Sequence, residues 1–401
     1  MNKIIFLWPI LLLMLPFSGS HGTNHLYGGM RSLMSDSAAG ADASATSANA
    51  MVDPSQCGGS NAPSWCAGTT ADAWIRAACT QLSERGGIVD LRGFGGRTET
   101  IAAQVTCSTP KKQVQFLVNP ATHWNITESD GKTVFPLDNA SGIDGGYGQV
   151  VGGSNGGGFF LAPTANVRAI FGPAHEDYSQ EAMYVIGVTV SGATGARVGK
   201  GLIYVFGLGT PTAINYNEAK QCNTACYWIE NTSGLSNFIG NEGNVTSGNN
   251  DIRGSACVFF ASNGRSPRNL DWNIEGDTCQ HANGRGNSDL LITSDGSGAL
   301  NAWLHVRASY FEAAYGNGAE VPDNQIFIKD CIACSFSDLR GNTSRNFITI
   351  AQTAKGYTRE VTFQNVFDGA AGATLINDMV NQRVIPESTA RYVGNYAVAP
   401  D

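Results

Sequence analysis

Apolar residues along most of this chain come in short alternating runs, cut every few residues by Gly, Asn, Asp and Ser. Leu270 to Ala314 shows the pattern best: LDWNIEGDTCQH, then SDLLITSDG, then NAWLHVRASYFEAA. A period of two puts every second side chain on one side, which is the mark of a half-buried strand, and the clusters between supply turns. After Tyr184 two kinds of strand alternate. One centres on Tyr204, Trp228, Phe259, Ile292, Phe327, Thr349 and Leu375. The other ends at Ser191, Asn217, Glu242, Glu275, Glu312, Arg340 and Asp368, at intervals of 26, 25, 33, 37, 28 and 28 residues. No helical pattern separates them, which excludes crossover helices and a doubly wound sheet. A unit of this size holding both strands predicts an all-β parallel solenoid whose coils climb about 4.8 Å each.

Several strands of the second kind end alike. The endings are Ile274-Glu275-Gly276-Asp277, Phe311-Glu312-Ala313-Ala314, Leu339-Arg340-Gly341-Asn342 and Phe367-Asp368-Gly369-Ala370, with a weaker copy at Asn241-Glu242-Gly243-Asn244. Like endings predict like places in the coil. Ile274, Phe311, Leu339 and Phe367 would stack inward as one ladder, and Glu242, Glu275, Glu312, Arg340 and Asp368 would stand outward as one column. One stretch has helical spacing instead. Ala71, Trp74, Ile75, Ala78 and Leu82 fall on one face of a helix over Thr70 to Arg85. Thr70 stands at the N-cap, Asp72 meets the helix dipole, and Arg85-Gly86-Gly87 is the stop. This helix would cap the open N-terminal end of the solenoid, where bare strand edges invite aggregation. Gly142 to Gly158 lacks the Gly-Lys-Ser/Thr of a phosphate loop and reads as turns.

Composition agrees with many strands and tight turns: 49 glycines in 401 residues, and only 14% charged residues. A net charge of −8 with no basic run argues against a nucleic-acid partner. At the N-terminus Lys3, the apolar run Ile4 to Phe17 and Ser18-Gly19-Ser20 predict a cleaved export signal over 1–20, with an uncleaved anchor as the alternative. Residues 21–52 are rich in Ser, Ala and Gly and read as a flexible linker. A single domain over 53–401 follows, with no further apolar stretch long enough to span a membrane. Ten cysteines suit an oxidising compartment. Cys57 and Cys66, Cys222 and Cys226, and Cys331 and Cys334 lie close in sequence, although spacing alone sets no connectivity. The Cys331–Cys334 CxxC has neither a second CxxC nor a helix context, so a structural or free pair outweighs a redox or zinc site. Sequons stand at Asn125, Asn139, Asn231, Asn244 and Asn342, and matter where the host glycosylates exported proteins.

An amphipathic helix, then GGIVDLRGF from Gly86 to Phe94, then glycine-rich β coils resembles the pectate lyase superfamily. The resemblance covers about Ala71 to Ile385. It implies a single-stranded right-handed parallel β-helix with an N-terminal capping α-helix, and a polysaccharide as ligand. The chain lacks the polygalacturonase-like NTD, paired DD, GHG and RIK, and has no Asp-rich calcium cluster. No catalytic residue carries over by motif.

Candidate chemistry therefore rests on the predicted column. Like carboxylates in register raise one another's pKa and a cation lowers it, so a column holding both can supply an acid and a base for glycoside hydrolysis. Glu275, flanked by Glu242 and Glu312, would be the acid. Glu312, beside Arg340, would be the nucleophile or base. A lyase would instead use Arg307 or Arg340 as base, with Asp277 or Asp338 holding Ca²⁺. Glu242, Asp338 and Asp368 would contact substrate; Trp303 and Tyr310, facing out, would stack on sugar rings, as could Tyr315, whereas alternation turns Trp272 inward. His175-Glu176-Asp177, His281 and His305 make no metal-spaced set. Glu-Gly-Asp and Arg-Gly-Asn are also ordinary turn sequences. A non-catalytic glycan-binding or cell-surface protein is thus the alternative to a hydrolase or lyase.

Overall fold

The computed structural model describes residues 49–401, apart from 58–59, 67, 109–111, 146–156, 177–181, 208–211, 223, 245–255, 265–268, 283–285, 314–321, 343–344, 369–373, 387–391 and 398–401. Among the described residues the chain is all-β, with one α-helix of nearly three turns and three short 3-10 turns. Its strands stack in three parallel faces that the backbone visits in turn. One coil, for example, runs Leu270–Glu275 on the first face, Thr278–Ala282 on the second and Ser288–Ser294 on the third. Each strand pairs with its counterpart one coil earlier and one coil later. This is the winding expected of a parallel β-helix.

Alternation fills the interior with one residue from each coil per ladder. On the first face the ladder runs unbroken from Ala50 and Val89 through Phe238, Ile274 and Val306 to Phe336 and Phe363. On the third face it runs from Phe135 through Tyr227, Val258 and Leu290 to Ile376. Nearly all of these side chains are fully buried. The strand kind centred on Tyr204 is the third face. Tyr204, Trp228, Phe259, Phe327 and Thr349 share one register, with Leu291 and Asn377 standing where Ile292 and Leu375 were expected.

The inward ladder expected from the endings does not exist. Ile274 faces inward on the first face and Phe311 on the second, Leu339 sits in the corner between them, and Phe367 lies in outward register with Arg340. The repeated element is a tight corner joining the first face to the second. Its leading residue is left-handed in coil after coil: Gly187, Tyr216, Gly240, Gly276, Ala308, Asp338 and Asn365. Glu-Gly does two different jobs in the endings. Gly276 (φ +69°) turns this corner, whereas Gly243 and Gly341 are strand residues of the second face. A Cβ at Gly243 would lie 2.0 Å from Cys257 Sγ, and one at Gly341 2.3 Å from the Phe347 ring, so neighbours already fill the space a side chain would need.

The helix spans Ala71–Thr80 and is shorter than Thr70 to Arg85. Thr70 takes the N-cap conformation without a side-chain cap bond, and Asp72 pairs with Arg76 at 2.7 Å. The expected last turn becomes a tight bend in which Ser83 Oγ donates to the Gly86 carbonyl at 2.9 Å. Ile75, Ala78 and Cys79 pack the helix on the first strands. Asn49–Met51, inside the stretch expected to be linker, is already a strand paired with Ile88 to Asp90, because Ala50 and Val52 bury into the first coil. At the far end Thr362–Asp368 and Thr374–Asp378 pair with antiparallel strands, Tyr392–Ala397 and Arg383–Pro386. These cover the last parallel edge.

All ten cysteines are paired: Cys57–Cys66, Cys79–Cys107, Cys222–Cys226, Cys257–Cys279 and Cys331–Cys334. Cys257–Cys279 joins the third face of one coil to the second face of the next, and the CxxC is a buried structural disulfide. Among the described residues no helix is long and apolar enough to cross a membrane.

Candidate functional site

The expected carboxylate column divides among several surfaces. Glu275 stands outward on the first face beside Arg307, whose Nη2 donates to Glu275 Oε2 at 2.6 Å. Glu242 and Arg340 stand on the second face in a column that reads Glu218, Glu242, Thr278, Tyr310, Arg340. Glu312 is one column further along that face, between Gln280 and Asn342. Asp368 faces inward, 3% exposed, in register with Gly341. Glu275 and Glu312 are thus on different faces and do not form an acid–base pair. The cause is that Glu275 precedes the corner residue Gly276, whereas Glu312 lies within the second-face strand Tyr310–Ala313.

Asp277 is not a surface ligand either. It is 3% exposed inside the corner between the first two faces, in a ladder of polar side chains. Asn217 N–H donates to Asn241 Oδ1 at 3.1 Å, Asn241 N–H donates to Asp277 Oδ1 at 2.7 Å, and Asp277 N–H donates to Ser309 Oγ at 3.4 Å. Burial pushes the Asp277 carboxyl well above the ordinary aspartate value, only partly opposed by the Asn241 bonds. Among the described residues no three His, Cys, Asp or Glu side chains converge as a metal site. Of the two carboxyls expected to hold Ca²⁺, Asp277 lies inside the wall and Asp338 outside it.

Other expected residues do gather. Tyr310, Asp338 and Arg340 line one open groove of about 560 Å³ on the corner of the last coils, with Ser309, Asn365 and Phe367. The corner builds it. Ala308, Asp338 and Asn365 are left-handed at φ 51°, 54° and 56°, stacked one coil apart, and Asn365 Nδ2 donates to Asp338 Oδ1 at 2.7 Å. Arg340 is exposed and makes no ion pair with another described residue. Arg307 precedes the groove residue Ala308 and brings the Glu275 pair to the groove's first-face side. On that face Trp303 is 47% exposed, at φ 54°, and His305 Nδ1 lies 2.7 Å from Ser335 Oγ. Trp272 is fully buried, as alternation requires. His281 and Tyr315 side chains and Asp177 fall outside the described residues.

A second polar cluster escapes sequence reasoning. On the outer side of the third face Lys200 Nζ lies 2.6 Å from Glu230 Oε2 and 3.6 Å from Glu176 Oε1. It also lies 4.7 Å from the Trp228 ring centre and 5.2 Å from that of Tyr204. Tyr204 Oη donates to Glu230 Oε2 at 3.2 Å, and Asn263 Nδ2 donates to Glu230 Oε1 at 2.6 Å. Burial, then the carboxylates of Glu230 and Glu176, push the Tyr204 hydroxyl far above its ordinary value. One cation neutralises two carboxylates under aromatic cover, an arrangement that ties the stretch before Asp177 to the wall. Alternation within ACYWIE puts Trp228 and Glu230 on one side. The partners, however, come from coils on either side at no fixed spacing, so no motif marks the cluster.

No protein-family model and no curated protein matches this chain. A solved structure of ORF18 from Geobacillus virus E2 is similar at 12% identity with a TM-score of 0.30. The match covers 78% of this chain and 59% of that one.

Proposed function

We propose that this is an exported, right-handed parallel β-helix protein, capped by its N-terminal helix, that binds a polysaccharide in the groove on its first corner. The observation that carries this is the convergence there of an aromatic ring (Tyr310), an exposed guanidinium (Arg340) and the Asp338–Asn365 pair. Sugar rings present an apolar face and a rim of hydroxyls, which such a set complements by stacking and by charge-assisted hydrogen bonds. Five disulfides support an extracellular setting. Binding is favoured over hydrolysis because Glu275 is spent on Arg307 and Glu312 lies on another face.

The test is a panel of neutral and acidic polysaccharides, with and without Ca²⁺, read for affinity, new reducing ends and unsaturated uronide. The expected result is saturable binding without either product. Tyr310→Ala is expected to weaken it about tenfold, the equivalent of the ~1.4 kcal/mol that an aromatic contact contributes, and Arg340→Gln by a similar factor. Undiminished binding by the double variant would remove the groove from the proposal. Unsaturated product lost in Arg340→Gln would turn the same groove into a lyase site.

A further inference from the structure

Three neighbouring strands of the third face bring an amine, a carboxyl and a carboxamide together. Lys200 immediately precedes Gly201–Phe206, Glu230 ends Ala225–Glu230, and Asn263 immediately follows Ala256–Ser262. The three strands are consecutive in the stack. Glu230 is 5% exposed, and its two oxygens divide these partners. Oε2 lies 2.6 Å from Lys200 Nζ, and Oε1 accepts from Asn263 Nδ2 at 2.6 Å. One buried carboxylate therefore holds a primary amine and a primary amide side by side.

The carbonyl of that amide is held as well. Asn231, fully buried, donates from Nδ2 to Asn263 Oδ1 at 2.6 Å, and its own Oδ1 accepts from the Asn263 backbone N–H at 3.0 Å. The Trp228 and Tyr204 rings cover the amine and keep water from it. An ion pair alone needs neither an amide on the second carboxylate oxygen nor a donor on the amide carbonyl. Acyl transfer from the amide to the amine needs both: a proton carrier that touches nucleophile and leaving group, and a fixed donor where negative charge develops.

We infer that Lys200 and Asn263 join in an isopeptide bond, made by the folded chain itself with release of ammonia, and that Glu230 is the catalytic acid–base. Glu230 takes a proton from the Lys200 ammonium. The freed nitrogen pair attacks Asn263 Cγ and forms the new carbon–nitrogen bond, while the carbonyl π pair moves onto Oδ1, where Asn231 Nδ2 stabilises it. Glu230 gives its proton to Asn263 Nδ2. As the Oδ1 pair returns, the Cγ–Nδ2 bond breaks and ammonia leaves with the bonding pair. The extra proton on the new amide nitrogen passes to Glu230, which ends as the neutral acid. No oxidant or co-reactant enters. The bond would tie the coil before Glu230 to the coil after it, in a link that reduction does not open, unlike the five disulfides. The inference does not rest on what the groove binds.

The full mature chain, its N-terminus mapped, is reduced and weighed by intact mass spectrometry, and its digest is searched for a branched peptide. The expected result is a mass short by one ammonia and a branched peptide joining Lys200 to residue 263. Lys200→Arg keeps the positive charge and is expected to restore the full mass and abolish the branched peptide. Glu230→Gln is expected to slow formation of the link by about a hundredfold or more, the usual contribution of a positioned acid–base. Folded wild-type protein of full mass would overturn the inference. So would a deficit that survives Lys200→Arg without a branched peptide, which would mark a cyclic imide at an Asn-Gly such as Asn263-Gly264.

Discussion

Asp277→Asn is expected to stabilise the protein at neutral pH by about 1–3 kcal/mol, the usual cost of a buried polar group left unsatisfied. The ladder explains why. Asn217 and Asn241 each accept an N–H from one neighbour through Oδ1 and donate through Nδ2 to a first-face carbonyl, Val185 at 2.9 Å and Ile214 at 2.8 Å. Asp277 keeps the accepting half. Its Oδ2 is buried without a hydrogen-bond partner, at the position where the other two side chains donate. An amide would restore that donor; a carboxyl can supply it only while protonated.

The pH dependence follows from the sign of the shift. Burial raises the folded pKa above the ordinary 3.8, and the Glu275 carboxylate adds to it. The neutral acid is therefore the form the fold holds. Its contribution is complete below the unfolded pKa and is lost as pH rises through the folded one. Melting temperatures of wild type and Asp277→Asn should nearly coincide around pH 4 and separate steadily above it. Parallel curves, or a variant less stable at pH 8, would refute the ladder argument.

Trp272→Ala is expected to cost about 3–5 kcal/mol, as removal of a buried aromatic from a close-packed core does. Trp272 is fully buried, meets Phe260 edge-on at 5.7 Å and donates from Nε1 to Thr232 Oγ1 at 2.8 Å. It is stacked between Ser236 and Leu304 of the adjoining coils, so the cavity opens between coils and cannot collapse without shifting both. Trp303→Ala, one coil on but 47% exposed, is expected to cost no more than about 0.5 kcal/mol. Urea unfolding of the two variants measures the contrast. Equal losses would mean that the inward and outward sides of the first face are assigned wrongly.

Period-two alternation made the strands legible, and with them the placing of Trp272 inside and of Trp303 and Tyr310 outside. The Tyr204, Trp228 and Phe259 series was legible too, because the outer side of the third face repeats bulky, mostly half-buried residues at one place in successive coils. The endings misled because a glycine reports permissiveness and not its cause. Gly276 eases a left-handed corner that Ala308, Asp338 and Asn365 also take, Gly243 and Gly341 answer a want of space, and the letters are the same. Aligning these endings with Phe311-Glu312-Ala313, which has no glycine, put Glu275, Glu312 and Asp368 on one face when they occupy three settings. The Lys200 cluster was illegible for a different reason, since its members come from separate coils joined by turns of unequal length.

By itself, then, the chain's alternating pattern and turn residues determined an all-β solenoid of stacked parallel strands, the inward or outward side of most strand residues, and the absence of any familiar catalytic motif. These are local properties, written in neighbours one or two residues apart. Only the tertiary structure decided which residues of different coils share a register. It gathered Tyr310, Asp338 and Arg340 into one groove, parted Glu275 from Glu312 and turned Asp277 into the wall. Register between coils depends on the length of every intervening turn, and a single added residue carries a side chain to the opposite face.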